Sequence, residues 1–255
     1  MAEAIEILKQ QGAVIVDPAD IPSVVATDAA NNFLLWSTCG GLDNAKGKDA
    51  DCSIVFKYGM KRDFNAWLTS LGAAAPVKTL TELRLWNVAH QRAGAIKYGQ
   101  ALLDISDEMD VRGDRARYQA DRDKDLRLSA TEGIDAVMKA NQLDALLFPR
   151  SGSASIAAKP GYPTIIVPFA FVEPAGPGGG GRGGAGAPAA GGAGAAPGGP
   201  GGPGGAGGGA FPPGFDPKPS PFGVSFTGMA CSEPKLIELA FAFEQATKRR
   251  VPPKL

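Results

Sequence analysis

A run of serines after residue 150 is the stretch whose composition best suits nucleophilic chemistry. Ser151, Ser153 and Ser155 alternate with small residues, and Lys159 follows them. A serine hydroxyl becomes a nucleophile when a neighbouring base removes its proton, and a neutral lysine is one such base. The spacing matches no Ser/Lys pattern with a physical rationale, so we predict no catalytic role. Small residues in a strand-to-strand loop favour instead a loop that lines a ligand pocket.

His90 and Ser225 are the other candidates for catalysis. His90 is the only histidine, so any Ser-His or Cys-His mechanism would need it. It falls on a predicted amphipathic helix rather than in a small-residue loop, which favours a structural role. Residues 223–228 resemble the Gly-x-Ser-x-Gly nucleophile elbow, but the second glycine comes one residue late. We therefore interpret Ser225 as a buried strand residue and predict no catalytic residue in this chain.

Metal and cofactor sites are not indicated either. The carboxylates of residues 104–110 lack the spacing of an EF-hand and are followed directly by arginines, which favours an ion-paired helix surface. The three cysteines, Cys39, Cys52 and Cys231, form neither a disulfide framework nor a zinc site. They are three free thiols, or Cys39 and Cys52 form a bridge if the parent protein is exported. We predict no metal and no cofactor.

Apolar periodicity outlines the elements that must position these residues. Short apolar runs predict strands at residues 13–16, 143–148, 162–167 and 223–227. Apolar residues between 56 and 71 recur at helical spacing, and Thr79 with Glu82 forms a capping box that opens a further helix. Strands that alternate with helices predict an α/β fold in which helices cover the sheet.

Composition excludes several classes of protein. The formal net charge of the 255 residues is zero, which disfavours binding to nucleic acid. No apolar run approaches the length of a membrane span, and the N-terminus has no signal-peptide pattern, so as written the chain is expected to be cytoplasmic. Residues 175–210 contain only Gly, Ala, Pro and Arg182. Such a segment buries too little to offset its ordering entropy, so we predict a disordered insert within one domain made of residues 1–174 and 211–255.

Several stretches together are similar to the C-terminal half of the amidase-signature family, and their order along the chain makes the match specific. The stretches are residues 4–9 with 12–16, 56–65, 106–110, 157–168, 221–228 with 232–236, and 242–247. The resemblance implies a partial mixed β-sheet flanked by helices, and hydrolysis of the C–N bond of small amides. The parent protein of such a fragment could be exported.

The family's catalytic residues have no counterpart here. The family places a lysine and two serines in and before a Gly-Gly-Ser-Ser-Gly-Gly-Ser signature, and this sequence contains no such stretch. We therefore expect a catalytically incomplete portion of an amidase, with the missing N-terminal half as a partner. The alternative is a non-catalytic binding or partner-completing module built on the same fold. The resemblance assigns one pocket wall, consisting of Phe148, Arg150, Ser151, Gly152, Ser153 and Gly161.

Overall fold

The structure is a computed structural model that describes residues 1–40, 50–172 and 218–252. The chain divides into two compact units. We call Ser23–Leu128 the helical unit, and Met1–Pro22 together with Ser129–Leu255 the sheet unit. The insert predicted at residues 175–210 lies outside the described residues, so its disorder stays a prediction.

Helices and short strands alternate along the chain. The helices are Ala2–Gln10 (α1), Pro22–Val25 (α2), Val55–Ser70 (α3), Leu80–Ala89 (α4), Ala101–Asp107 (α5), Arg115–Leu126 (α6), Asp135–Ala140 (α7), Ala154–Ala158 (α8) and Glu233–Thr247 (α9). The strands are Ser37–Thr38 (β1), Cys52–Ser53 (β2), Leu146–Pro149 (β3), Thr164–Val172 (β4) and Ser220–Thr227 (β5). A π-helical segment, Arg127–Ile134, with non-helical backbone at Gly133, precedes α7. The predicted α/β class is confirmed.

The sheet unit is built on three antiparallel strands in the order β3-β5-β4. The strands predicted at residues 143–148, 162–167 and 223–227 correspond to β3, β4 and β5. β5 is central, because both β3 and β4 pair with it. The small β1–β2 pair in the helical unit is parallel, so the described chain contains both senses of strand pairing.

One face of this sheet packs against α1 and α9. Phe243 of α9 is the centre of the cluster, and its ring centroid lies 5.5 Å from that of Phe169 and 5.7 Å from that of Phe226. Burying a side chain of this size stabilises a fold by about 1.5–3 kcal/mol. The buried members of the cluster are Ala4, Val167, Phe169, Val224, Phe226, Leu236, Ala240 and Phe243.

The prediction of a strand at residues 13–16 is wrong. These residues have no regular secondary structure, and the side chain of Val14 is 91% exposed. The apolar run suggested a buried strand, but a strand needs a hydrogen-bonded neighbour, and no described strand pairs with this segment.

In the helical unit, α3 forms where the apolar spacing predicted a helix, and it buries Leu68 of the predicted stripe but leaves other members exposed. Trp67 and Phe56 of the predicted stripe are 54% and 47% exposed, whereas Lys57 and Tyr58 are buried. The Tyr58 hydroxyl donates to the Val111 carbonyl at 2.6 Å. The polar end of each buried side chain is therefore satisfied by hydrogen bonds or charge partners that apolar spacing does not reveal.

Two aspartates of α6 anchor the segment around β1 and β2. The carboxylate of Asp125 accepts from Trp36 Nε1 at 2.7 Å and from Ser53 Oγ at 2.8 Å. Asp121, one turn earlier, accepts from the backbone N–H of Ile54 at 3.0 Å. Hydrogen bonds to charged acceptors are stronger than neutral ones, about 1.5–3 kcal/mol each. The acidic stretch predicted to be an ion-paired surface therefore continues into a helix with a buried polar face.

A disulfide joins Cys39 to Cys52, with the two Cα atoms 5.1 Å apart. Of the two possibilities that the sequence left open, three free thiols or a Cys39–Cys52 bridge, the structure has the bridge. It lies next to the β1–β2 pair, and Arg117 Nη2 approaches Cys39 Sγ at 3.8 Å. Cys231 is an exposed free thiol. The bridge reinforces the ladder that the α6 aspartates hold.

Removing this bridge should destabilise the helical unit. The double change Cys39→Ser with Cys52→Ser is expected to lower its free energy of unfolding by about 2–4 kcal/mol, because the unfolded chain regains the freedom of the closed loop. Trp36, Trp67 and Trp86 all lie in this unit, so tryptophan fluorescence in urea measures its unfolding. Cys231→Ser is the matched control and should have no effect. Equal urea midpoints for the double variant and the control would contradict the stabilising role.

Candidate functional site

The predicted pocket wall begins in the turn that follows β3. Arg150 has a left-handed backbone with φ 54°. Its N–H donates to the Gly223 carbonyl at 2.7 Å, and its own carbonyl accepts a hydrogen bond from Ser225 Oγ. Both contacts come from β5. An arginine in this conformation costs about 1–2 kcal/mol, so these two hydrogen bonds hold the turn against its backbone preference.

The strand register shows which residues share the face of the sheet opposite the α9 core. Phe148, Ser225 and Ile166 are aligned across β3, β5 and β4. Because side chains alternate along a strand, these residues point away from the face that carries Phe226. Ser225 is fully buried. The opposite face is therefore partly polar where the turn after β3 meets it.

A second row on this face carries a pair of hydroxyl groups. Thr227 is aligned with Leu146 on one side and Thr164 on the other. The Thr227 and Thr164 hydroxyl oxygens lie 2.9 Å apart and share a hydrogen bond. The hydroxyls of Ser225 and Thr227 are thus both engaged within the protein.

Ser153 differs from these residues. It precedes α8, its side chain is 0% exposed, and its Oγ has no hydrogen-bond partner among the described residues. A serine before a helix commonly accepts from the backbone of the first turn, but that contact is absent here. Leaving a buried hydroxyl unsatisfied costs about 1–3 kcal/mol. Ser153 therefore has unused hydrogen-bonding capacity at the edge of the predicted wall.

The remaining wall residues are small or partly buried. Phe148 is half-buried at the end of β3, while Ser151 and Gly152 are exposed in the turn that also contains Arg150 and Ser153. Gly161 lies in the separate turn that leads to β4, with φ 79°, which favours glycine. The structure places four of the six predicted residues, Arg150 to Ser153, in one continuous turn, with Phe148 in β3 just before it and Gly161 after α8 in the sequence.

Tyr162 follows Gly161 and keeps its proton at neutral pH. Burial, and then the neighbouring Asp135, raise the pKa of Tyr162 to about 12. Asp135 also pairs with Lys139 at 3.2 Å. The phenol beside the second turn is therefore a neutral hydrogen-bonding group.

Sequence reasoning undervalued Ser225. The sequence predicts a buried strand residue, and the structure places Ser225 within β5 with a buried side chain. Its contribution is to fix the carbonyl of Arg150, which lies 75 positions away in the sequence. The one signal for this role was the alternation of Gly223, Ser225 and Thr227 along the strand.

The other candidates are occupied by structural contacts. His90 ends α4, its ring stacks on Trp86 at a centroid distance of 4.0 Å, and Nδ1 lies 2.8 Å from the Trp86 carbonyl oxygen. Asp104 and Asp107 both accept hydrogen bonds from Arg84, at 2.6 Å each. Burial opposes ionisation of Asp107, but hydrogen bonds from Thr81, Arg84 and Lys61 outweigh it, so its pKa is lowered. His90 and these two aspartates therefore make contacts within the protein, as the sequence predicted, and their lack of a catalytic or metal-binding role stays a prediction.

Metal and membrane contacts have no visible basis in the described residues. Within residues 1–40, 50–172 and 218–252, no three His, Cys, Asp or Glu side chains cluster in a way that would hold a metal ion. No helix in the same part of the chain is both long and apolar enough to cross a bilayer.

Comparison with known proteins identifies amidases as relatives. A probable amidase of Arabidopsis thaliana is 26% identical over 251 residues, which are 98% of this chain and 36% of the relative. The native peptide amidase of Stenotrophomonas maltophilia is 30% identical, with a TM-score of 0.55, over 78% of this chain and 34% of that structure. No family model matches the sequence.

Two further structures extend the similarity to the whole chain. A peptide amidase in complex with the competitive inhibitor chymostatin is 27% identical, with a TM-score of 0.64, over 100% of this chain and 41% of that one. An amidase family protein of Bacillus anthracis shares the fold, with a TM-score of 0.61 at 21% identity, over 100% of this chain and 36% of that one. The chain thus resembles the amidase-signature family in sequence and in fold, and it spans about a third of the length of its curated relative.

The close approach of β4 to β5 at Gly223 should be sensitive to a single methyl group. A Cβ at Gly223 would lie 2.6 Å from Ile166 Cγ1 and 3.1 Å from the Val167 carbonyl oxygen. We expect Gly223→Ala to lower the free energy of unfolding of the sheet unit by about 1–3 kcal/mol, measured by circular dichroism in urea. The matched control is Gly59→Ala in α3, where the nearest atom is 3.9 Å away. Equal stability of the two variants would contradict the close packing.

Ser153 and Ser225 should respond differently to loss of the hydroxyl. Ser225→Ala removes the hydrogen bond to the Arg150 carbonyl and should cost about 1 kcal/mol of stability. Ser153→Ala removes an oxygen without a described partner and should leave stability unchanged or slightly higher. Urea unfolding of the two single variants measures the difference. A loss for Ser153→Ala as large as that for Ser225→Ala would mean that the Ser153 hydroxyl is already satisfied.

Proposed function

We propose that this chain is one part of an amide-hydrolysing protein, in which it supplies a wall of the substrate pocket. The observation that carries the proposal is the buried hydroxyl of Ser153, which lacks a described hydrogen-bond partner. It lies in a turn of small residues that β5 holds in a fixed conformation through Arg150. A fixed turn with one unsatisfied polar group is suited to orienting a polar ligand such as an amide.

The chain does not contain the groups that cleave an amide. Hydrolysis at neutral pH requires a nucleophile, a base that activates it and donors for the oxyanion, all in one place. Ser225 and Thr227 are engaged in hydrogen bonds, and no described base is hydrogen-bonded to Ser153. The Gly/Ser signature that holds these groups in the family is absent from the sequence. We infer that the 255-residue chain has no turnover by itself.

The proposed partner is the signature-bearing half of an amidase. The curated relative is much longer than this chain, which covers 36% of it. Each unit also has large apolar side chains on its surface, such as Ile166 and Phe241 in the sheet unit and Trp67 and Leu102 in the helical unit. Exposed apolar surface of this kind is typical of a site for another protein segment. The proposed substrates are small-molecule amides, including peptide amides, which the names of the solved relatives suggest.

The isolated chain should show no measurable hydrolysis of a panel of small amides, peptide amides and esters. Co-expression with, or fusion to, the signature-bearing half of a peptide amidase is expected to restore turnover. Removal of the triad of a serine hydrolase typically leaves about 10³–10⁴-fold acceleration, but here the oxyanion hole would be missing too. Rates of amide hydrolysis with and without the added half are the measurement.

A triple variant tests whether the Ser/Lys stretch is instead a complete catalytic centre. Ser153→Ala, Ser155→Ala and Lys159→Ala together remove every member of the Ser/Lys stretch, and Ser220→Ala on β5 is the control. Activity of the isolated chain that the triple change abolishes and the control retains would place a complete catalytic centre here and overturn the proposal. In the restored enzyme, Ser153→Ala alone should raise KM more than it lowers kcat, because the residue orients substrate.

A further inference from the structure

Arg150 is the one ionisable residue among the six that form the proposed wall. Arg150 is exposed, and no carboxylate of the described chain forms an ion pair with its side chain. Several other arginines of the described chain form ion pairs, such as Arg62 with Asp63, Arg84 with Asp104 and Arg249 with Glu3. Arg150 therefore presents a guanidinium group whose charge the described residues leave unneutralised.

No aspartate or glutamate lies in the strands β3, β4 and β5 or in the turn that carries Arg150. Residues 145–172 and 218–232 contain Arg150, Lys159 and Lys218, and no aspartate or glutamate. Asp144 and Glu233 flank these segments, and the carboxylate of Asp135 interacts with Lys139 and with Tyr162. An anionic group would therefore meet little repulsion at this turn.

The backbone of Arg150 is held by β5, and its side chain lies near an aromatic ring. Its N–H and carbonyl are both hydrogen-bonded to β5, and its guanidinium carbon lies 5.6 Å from the centroid of the Phe222 ring. A planar guanidinium that stacks on an aromatic ring loses less freedom on binding than a mobile side chain does. Its parallel N–H groups match the two oxygens of a carboxylate.

We propose that Arg150 binds a carboxylate of the substrate, so that the preferred substrates are amides that also carry a free carboxylate group. This inference rests on the proposed function, because it requires that the turn lines the pocket. It adds a substrate class to that function: the small-residue turn with Ser153 accommodates the amide, and Arg150 selects for negative charge.

Two amides that differ in charge test the inference on the full 255-residue chain, because the proposed wall contains both Ser153 and Arg150 and should bind an amide weakly without the partner half. Succinamate carries an amide and a carboxylate, and methyl succinamate is its neutral ester. Isothermal titration calorimetry at low salt should show that succinamate binds about three- to tenfold more tightly, the size expected for one exposed charge-assisted contact. The preference should decrease as NaCl is added, because salt screens an exposed pair.

Variants assign the preference to one residue. Arg150→Gln should abolish the difference between the two amides and leave the affinity for the neutral ester unchanged, while Arg150→Lys should retain part of it. Lys235→Gln removes the same charge from the exposed surface of α9 and should leave the preference intact. Equal loss in Arg150→Gln and Lys235→Gln would reduce the effect to net charge and overturn the inference.

The outcomes also distinguish this inference from the function on which it rests. Equal binding of both amides, unaffected by Arg150→Gln, would overturn the carboxylate assignment and leave the amide pocket standing. Failure of both amides to bind would overturn the pocket and the assignment together.

Discussion

The pairing of β5 with both of its neighbours is the constraint on which the sheet unit depends. β5 forms hydrogen bonds with β3 on one edge and with β4 on the other. It can approach β4 this closely at residue 223 because a glycine has no side chain there to collide with Ile166. Its alternate side chains then serve two purposes. Val224 and Phe226 complete the core under α9, whereas Ser225 points to the opposite face and holds the carbonyl of Arg150. The core and the proposed wall are therefore two faces of one strand.

The helical unit uses a different kind of constraint. There the buried carboxylate of Asp125 accepts hydrogen bonds from the indole of Trp36 and the hydroxyl of Ser53, which lie 89 and 72 positions away in the sequence. The disulfide links two residues of the same region. A buried aspartate with two donors is specific about geometry, because loss of either donor leaves a charged oxygen unsatisfied. Polar contacts fix the position of the small β1–β2 ladder in this unit.

The sequence predicted the positions of most strands and helices, but not the contacts of individual buried polar side chains. β3, β4, β5 and the helix α3 appear where apolar periodicity placed them, since periodicity reports burial directly. One half of the capping box is also confirmed, with Thr79 Oγ1 accepting from the Glu82 N–H at 3.1 Å, while the Glu82 carboxylate accepts from the Lys78 N–H at 2.7 Å instead of from Thr79. The buried face of α3 was not predictable, because Lys57 is buried beside Glu108, at 3.9 Å, and a charge pair leaves no apolar signal. Likewise, the contact between Ser225 and Arg150 follows from a strand register that no local pattern specifies.

The order of the strands in the sheet differs from their order in the chain, and this has a consequence for synthesis. The central strand is made last: β3 and β4 end at residues 149 and 172, and β5 ends at residue 227. At about 5–20 residues per second, the ribosome needs roughly 3–11 s to add the 55 residues between the ends of β4 and β5. Through that interval the two outer strands have no native partner, since they do not pair with each other. The nascent chain with both strand edges unpaired is thus the form of this protein most open to aggregation.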